Sequence, residues 1–179
     1  MYAKRMQELD PLAPGPLGYA YFGARQYDRA IELYRRAIER NPSNAHGHFL
    51  LGEAYLAKGM YGEGVAELQK AVAIENAPER WNRQPMLAYG YAVSGRRDEA
   101  QKILDEQKEL AKQGRYISPY NFAIIYTGIG DKDRAFEWLD KAYEEHSQPL
   151  EHVKSRPLFD SLRSDPRFTD LLGRMKLAA

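Results

Sequence analysis

The chain has 179 residues, enough for one domain with a continuous core and too few for a second. Its 26 Lys and Arg against 25 Asp and Glu leave a formal charge of +1, so no net field draws it to nucleic acid or to an anionic membrane. The absence of cysteine excludes disulfides, thiolate nucleophiles and Cys-ligated zinc. No apolar run approaches the roughly 18 residues of a spanning helix, and Met1 to Asp10 lacks the apolar segment of a signal peptide. These features lead us to expect a soluble, cytoplasmic chain without an export address, the alternative being an extracytoplasmic part of a longer membrane-anchored parent.

Residues 2 to 10, ahead of Pro11, read as the last turns of a second helix from a preceding unit, either the remnant of a longer array or an N-terminal cap. Pro11, Pro14 and Pro16 compress the link that follows, and the helix starting near Pro16 is short. From there a pattern recurs. A first helix carries Leu17, Gly18 and Tyr21, then Leu51, Gly52 and Tyr55, then Leu87, Ala88 and Tyr91, then Phe122, Ala123 and Tyr126. Spacings of three and four put each set on one helical stripe.

A second helix carries Ala30, Tyr34 and Ala37, then Gly64, Leu68 and Ala71, then Ala100, Leu104 and Gln107, then Ala135, Leu139 and Ala142. The leading small residues are spaced by 34, 36 and 35. Small side chains there let two helix backbones approach closely, and the large ones fill the space between. Gly59, Gly95 and Gly130 sit where each first helix must end in a left-handed residue. The matching position in the first unit is Arg25. Asp131 is placed to cap the run from Lys132. Pro85 is read as an early position of its helix, with Pro78 to Arg83 as a separate turn or a kinked extension, because an interior proline costs about 3 kcal/mol. A two-residue insertion precedes this third unit, so any bend is expected around Asn76 to Pro85.

After Pro149 the pattern stops and two proline-started segments follow, from Pro157 and from Asp165-Pro166. In the second, Phe168, Leu171, Leu172 and Met175 form an amphipathic face, with Asp165 as cap and Pro166 at the first helical position. Such a helix covers the open apolar end of a stack.

Leu-Gly-x-x-Tyr, then a small residue, then Ala, then Asn-Pro resembles the tetratricopeptide repeat. The resemblance covers residues 11 to 149 in four copies (11–44, 45–78, 81–114 and 116–149), with 150–179 as a C-terminal capping segment. It implies an all-α, right-handed α-solenoid of helix-turn-helix units closed by a capping helix. The stretch from Pro157 to Met175 also resembles the tail that closes such arrays in bacterial multidomain regulators, although no effector domain is present in this sequence.

In that family, ligands lie in a groove lined by the first helices, at the second, fifth, ninth, twelfth and thirteenth positions of each unit. Carried onto this sequence, those positions give Tyr19 and Phe22, then Phe49, Glu53 and Leu56, then Asn82, Pro85 and Tyr89, then Tyr120, Ile124 and Thr127. Members that bind chaperones clamp a C-terminal carboxylate with Lys, Asn and Arg at the fifth and ninth positions. Here those positions hold Gly15, Tyr19, Phe49, Glu53, Pro85, Tyr89, Tyr120 and Ile124, and the clamp is missing. The groove is therefore expected to accept an apolar or aromatic-rich peptide or helix, with Tyr19, Tyr89 and Tyr120 as its leading contacts. The alternative is that these side chains pack against the chain's own helices.

Other chemistry has little support. His46 and His48 are spaced i, i+2 and do not share a helical face, so a metal site is not expected. His146 and His152 read as solvated residues at a helix end and loop. The glycines from Gly59 to Gly64 and at 128 and 130 lack the strand, lysine and hydroxyl of a phosphate loop. Arg35, Arg36 and Arg40, and separately Arg80 and Arg83, read as surface salt-bridge clusters. The expected function is a non-catalytic, cofactor-free protein-interaction scaffold. A scaffold or sensory fragment of a larger bacterial transcription regulator, kinase or cyclase is the second reading, and self-association into a homo-oligomer the third.

Overall fold

The computed structural model describes residues 15–75 and 80–177. The helix remnant or cap expected over 1–10, Pro11, Pro14 and residues 76–79 of the expected bend lie outside the described residues. Every regular element among the described residues is helical. The length argument anticipates a single continuous core, whereas the contacts group into two compact units, Met1–Arg83 and Gln84–Ala179. Repeats touch only their neighbours, so a stack of them is not one core.

In the first unit lie α1 (Gly15–Gly23), α2 (Tyr27–Arg40), α3 (Ala45–Ala57) and α4 (Tyr61–Ile74). Helix α5 (Arg80–Val93) belongs to the second unit from Gln84 onward. That unit continues with α6 (Arg97–Lys112), α7 (Pro119–Ile129), α8 (Lys132–Glu144), 3-10 turns at Gln148–His152 and Pro157–Leu162, and α9 (Pro166–Arg174).

Four turns share one hydrogen bond. The amide N–H groups of Gln26, Met60, Arg96 and Asp131 donate to the carbonyls of Tyr21, Tyr55, Tyr91 and Tyr126, at 2.8 to 3.1 Å. This six-to-one bond closes a Schellman turn and requires a left-handed residue just before the donor. Gly59, Gly95 and Gly130 occupy that place at φ 84 to 88°, and Arg25 occupies it at φ 60°. A side chain there costs about 1–2 kcal/mol, and the first turn forms the same bond in spite of it. Each of the four tyrosines also carries a cation over its ring: Arg29 on Tyr21, Arg35 on Tyr55, Arg96 on Tyr91 and Arg134 on Tyr126, 4.4 to 5.5 Å from the centroids.

Between paired helices the small residues are at the closest approach. Ala30, Ala100 and Ala135 are fully buried. A Cβ on Gly52 would lie 2.9 Å from the carbonyl oxygen of Gly64, and one on Gly64 would lie 3.1 Å from that of Gly52. Facing pairs are matched in size. Where α2 carries the large Tyr34, α1 offers Gly18, and a Cβ on Gly18 would stand 2.4 Å from the Tyr34 ring. Where α6 and α8 carry Leu104 and Leu139, Ala88 and Ala123 lie buried on the first helices of those pairs.

Two expectations about the third pair are corrected or refined. Helix α5 begins at Arg80 and runs through Pro85 at its sixth residue, so Arg80–Arg83 is part of the helix and not a separate turn. So close to a helix N-terminus the first amides have no intrahelical partner, and the ring forfeits one further bond. Gln107, in place of the usual small residue, is fully buried and donates through Nε2 to Oε1 of Gln84 at 3.0 Å. Gln84 in turn donates to Glu106 at 3.3 Å.

The C-terminal segment packs on α7 and α8. Asp165 caps α9 by accepting from the Arg167 amide at 3.0 Å, and the Arg167 side chain holds its carboxyl down at about 2. Arg167 also reaches Asp133 at 2.9 Å, and Arg174 pairs with Asp140. Both bonds span 34 residues, the length of a repeat, and they set α9 along α8. Phe168 and Leu171 are buried beneath them.

These approaches predict opposite outcomes for three alanine substitutions read by chemical or thermal unfolding. Gly52→Ala and Gly128→Ala meet backbone atoms at 2.9 Å and should each destabilise by about 1–3 kcal/mol. Gly62→Ala faces open space in α4 and should leave stability unchanged or raise it.

Candidate partner-binding face

The first helices of the first unit, α1 and α3, bring together Tyr19, His46 and Phe49. Tyr19 is 47% exposed, and its hydroxyl lies 3.1 Å from Nε2 of His46. Burial holds the His46 imidazole below its ordinary value. The charge of Arg83 adds to this, while Glu75 and Glu53 oppose it. Phe49 is half-buried, with the guanidinium of Arg83 5.0 Å above its ring.

Arg83 is paired through Nε with Glu75 Oε1 at 2.5 Å, and both side chains are less than a fifth exposed. The expected surface cluster at 80 and 83 is thus corrected for Arg83: its cation is drawn inward by an aromatic face and a carboxylate. The side chain of Arg80 lies outside the described residues. Glu53 is 7% exposed. The Tyr34 hydroxyl nearby is pushed above the ordinary phenol value, chiefly by burial and then by the charges of Glu53 and Tyr19.

The remaining first-unit candidates are interior. Phe22 packs in the core with its ring 5.8 Å from that of Tyr27. Leu56 is buried where a Cβ on Gly64 would meet it at 2.6 Å. Both are twelfth-position residues, and this position turns toward the paired helix.

In the second unit most candidates are inside. Tyr120 is 1% exposed. Its hydroxyl accepts from Arg156 at 3.1 Å, and the ring of Phe159 meets it edge-on at 5.7 Å. Ile124 and Thr127 are buried, and the Thr127 hydroxyl donates to the Ala123 carbonyl at 2.7 Å. Pro85 is buried as well. Tyr89 is half-buried, with its backbone at the Gly128 crossing. The side chain of Asn82 lies outside the described residues. Tyr120, Ile124 and Thr127 therefore serve packing in this arrangement, because the segment Arg156–Leu162 seats Phe159 on α7.

Residues 16–80 match the tetratricopeptide repeat family model. Those residues carry the tetratricopeptide repeat pattern. Over 162 residues, 87% of its length, it is 24% identical to Hsp70-Hsp90 organizing protein 3 of Arabidopsis thaliana, of which it spans 26%. Over 72 residues, 40% of its length, it is 36% identical to serine/threonine-protein phosphatase 5 of Homo sapiens, of which it spans 13%. The chain thus spans about a quarter or less of the curated relatives it matches.

Sequence reasoning overlooked Arg83, Glu75 and His48 as parts of the repeat architecture. Their signals were weak: a basic residue near a proline, an acid at a helix end, and a histidine in a first turn. The burial of Tyr120 predicts that Tyr120→Ala lowers stability by about 3–5 kcal/mol in thermal unfolding. Tyr19→Ala, on the exposed side of the same repeat fold, should shift the melting temperature by no more than a few degrees.

Proposed function

We propose that this chain is a non-catalytic protein-interaction scaffold that takes a peptide or helix of a partner on the α1–α3 face of its first unit. The exposure of Tyr19 beside His46 carries this reading. Tyrosine and phenylalanine give large contact area at low entropic cost, as at interface hot spots. In the second unit Tyr120 of α7 is covered by Phe159 of the chain's own C-terminal segment, which favours the first unit as the binding end.

The relatives support a protein ligand. By its name, the organizing protein of Arabidopsis acts on Hsp70 and Hsp90, and we carry over only that its counterpart here is a protein. A carboxylate-tipped peptide is disfavoured, because Tyr19, Phe49 and Glu53 stand where the Lys, Asn and Arg of the clamp would be needed. An apolar or aromatic-rich segment suits the face better.

Affinity capture with the native chain and with Tyr19→Ala and Phe49→Ala, followed by calorimetric titration of the captured partner, tests this. Tyr19→Ala should weaken binding at least about tenfold, or roughly 1.4 kcal/mol, with the fold intact by circular dichroism. Undiminished binding by both variants would place the interface elsewhere. Recovery of the chain alone, with a mass that rises with concentration in light scattering, would replace the reading by self-association.

A further inference from the structure

Where α1 turns into α2, an open cavity of about 420 Å³ is lined by Arg25, Gln26, Tyr27, Asp28 and Arg29, and by Lys58 from the end of α3. Three cations against one carboxylate leave it a local charge of +2, whereas the whole chain carries +1. The one carboxylate is already engaged. Lys58 Nζ, 30 residues away in sequence, reaches Asp28 Oδ1 at 2.5 Å.

The two guanidiniums are held in place by uncharged groups. Arg25 donates through Nη1 to the Tyr27 hydroxyl at 3.0 Å, and the Tyr27 ring is anchored 5.8 Å from that of the buried Phe22. Arg29 donates through Nη1 to Oε1 of Gln26 at 3.0 Å and lies 5.5 Å from the centroid of the Tyr21 ring. None of these contacts supplies a counter-charge.

Nor does the fold require cations at these places. One repeat on, 34 residues later, Gly59 and Glu63 stand where Arg25 and Arg29 do, and the same six-to-one bond forms from the Met60 amide to the Tyr55 carbonyl. Arg25 adopts the left-handed conformation at φ 60°, which glycine enters without steric cost. A side chain kept there in spite of that cost is better explained by its charge than by the turn.

We propose that this cavity binds a doubly charged oxyanion of the phosphoryl class between Arg25, Arg29 and Lys58. A phosphoryl group carries a charge of about −1.5 to −2 at pH 7 and three acceptor oxygens, which balances the local +2. The planar forks of the two arginines match those oxygens, and Lys58 adds a point charge while it neutralises Asp28. Because Tyr27, Gln26 and Tyr21 place both forks before the anion arrives, little side-chain ordering opposes binding. The site shares no residue with Tyr19, His46 and Phe49, so it stands whether or not the α1–α3 face takes a partner.

Backbone amide spectra of the native chain, titrated with inorganic phosphate at about pH 7.5, where phosphate is largely the dianion, test the site against sodium chloride of matched ionic strength. Phosphate should shift the amides of residues 25–29 and of Lys58 along saturable curves that share one dissociation constant. Chloride should not. Arg29→Gln should weaken that binding about tenfold or more, through loss of a charge-assisted donor. Arg25→Gly relaxes the turn, so its melting temperature in chloride should rise, while the further rise that phosphate gives the native chain should fall by about half or more. A short peptide carrying phosphoserine, compared with its unmodified form, separates the sources. Tighter binding than inorganic phosphate marks a phosphorylated partner, equal binding marks the free ion, and both support the site. A response that does not saturate, one matched by chloride, or undiminished binding by both variants overturns the proposal.

Discussion

The close approach of two helix backbones inside each pair is the constraint on which the rest depends. At Gly52 and Gly64 the carbonyl of each residue lies where the other's Cβ would be, and Ala30, Ala100 and Ala135 allow no solvent contact at all. At that separation the side chains one turn away must interdigitate, which explains why Tyr34 occurs opposite Gly18 while Leu104 and Leu139 occur in pairs whose first helices carry buried alanines. The turn is then fixed by geometry. Helices packed so closely must be joined by a short link, and the Schellman bond to the tyrosine carbonyl supplies one that satisfies the helix end.

That architecture divides the tyrosines into two kinds. Tyr21, Tyr55, Tyr91 and Tyr126 hold the turns through their carbonyls and lie beneath cations, so their rings belong to the structure. Tyr19, Tyr89 and Tyr120, which the repeat register led us to expect in a groove, differ in their surroundings. Tyr19 remains open, Tyr89 is tied to the Gly128 crossing, and Tyr120 is covered by Phe159 and bonded to Arg156. The C-terminal segment packs on the last helix pair of the second unit, with Phe159 against Tyr120 and α9 along α8.

Polar groups in the interior give each unit its individuality. In the first, Arg83 with Glu75, and Glu67 beside Lys70 and the His48 ring, place charges in partly dry surroundings, where a matched partner is required. In the second, Gln107 fills a place where the repeat prefers a small side chain. It is accommodated by pairing with Gln84, while its Oε1 is buried without a hydrogen-bond partner among the described residues. Such an oxygen costs about 1–3 kcal/mol. The third helix pair thus departs from the common pattern in its core as well as in its spacing.

Periodicity in the sequence was sufficient to establish the helices, their pairing, the left-handed turn residues and the caps at Asp131 and Asp165. Each of these follows from interactions within one or two turns of chain, and small residues at a 34 to 36 residue spacing can serve few other geometries. Periodicity did not separate groove from core for Phe22, Leu56, Tyr120, Ile124 and Thr127, because a residue on a first helix has the same local pattern whether its neighbour is a partner or another part of the chain. Pro85 does fall early in its helix, but the residues just before it, from Arg80, belong to that helix and do not form a separate turn. The pairings of Arg83 with Glu75 and Phe49, of His48 with Glu67, and of Arg156 with Tyr120 span 8 to 36 residues. Only the packed tertiary structure brings those partners together, and it alone decided which faces remain open and where charge is buried.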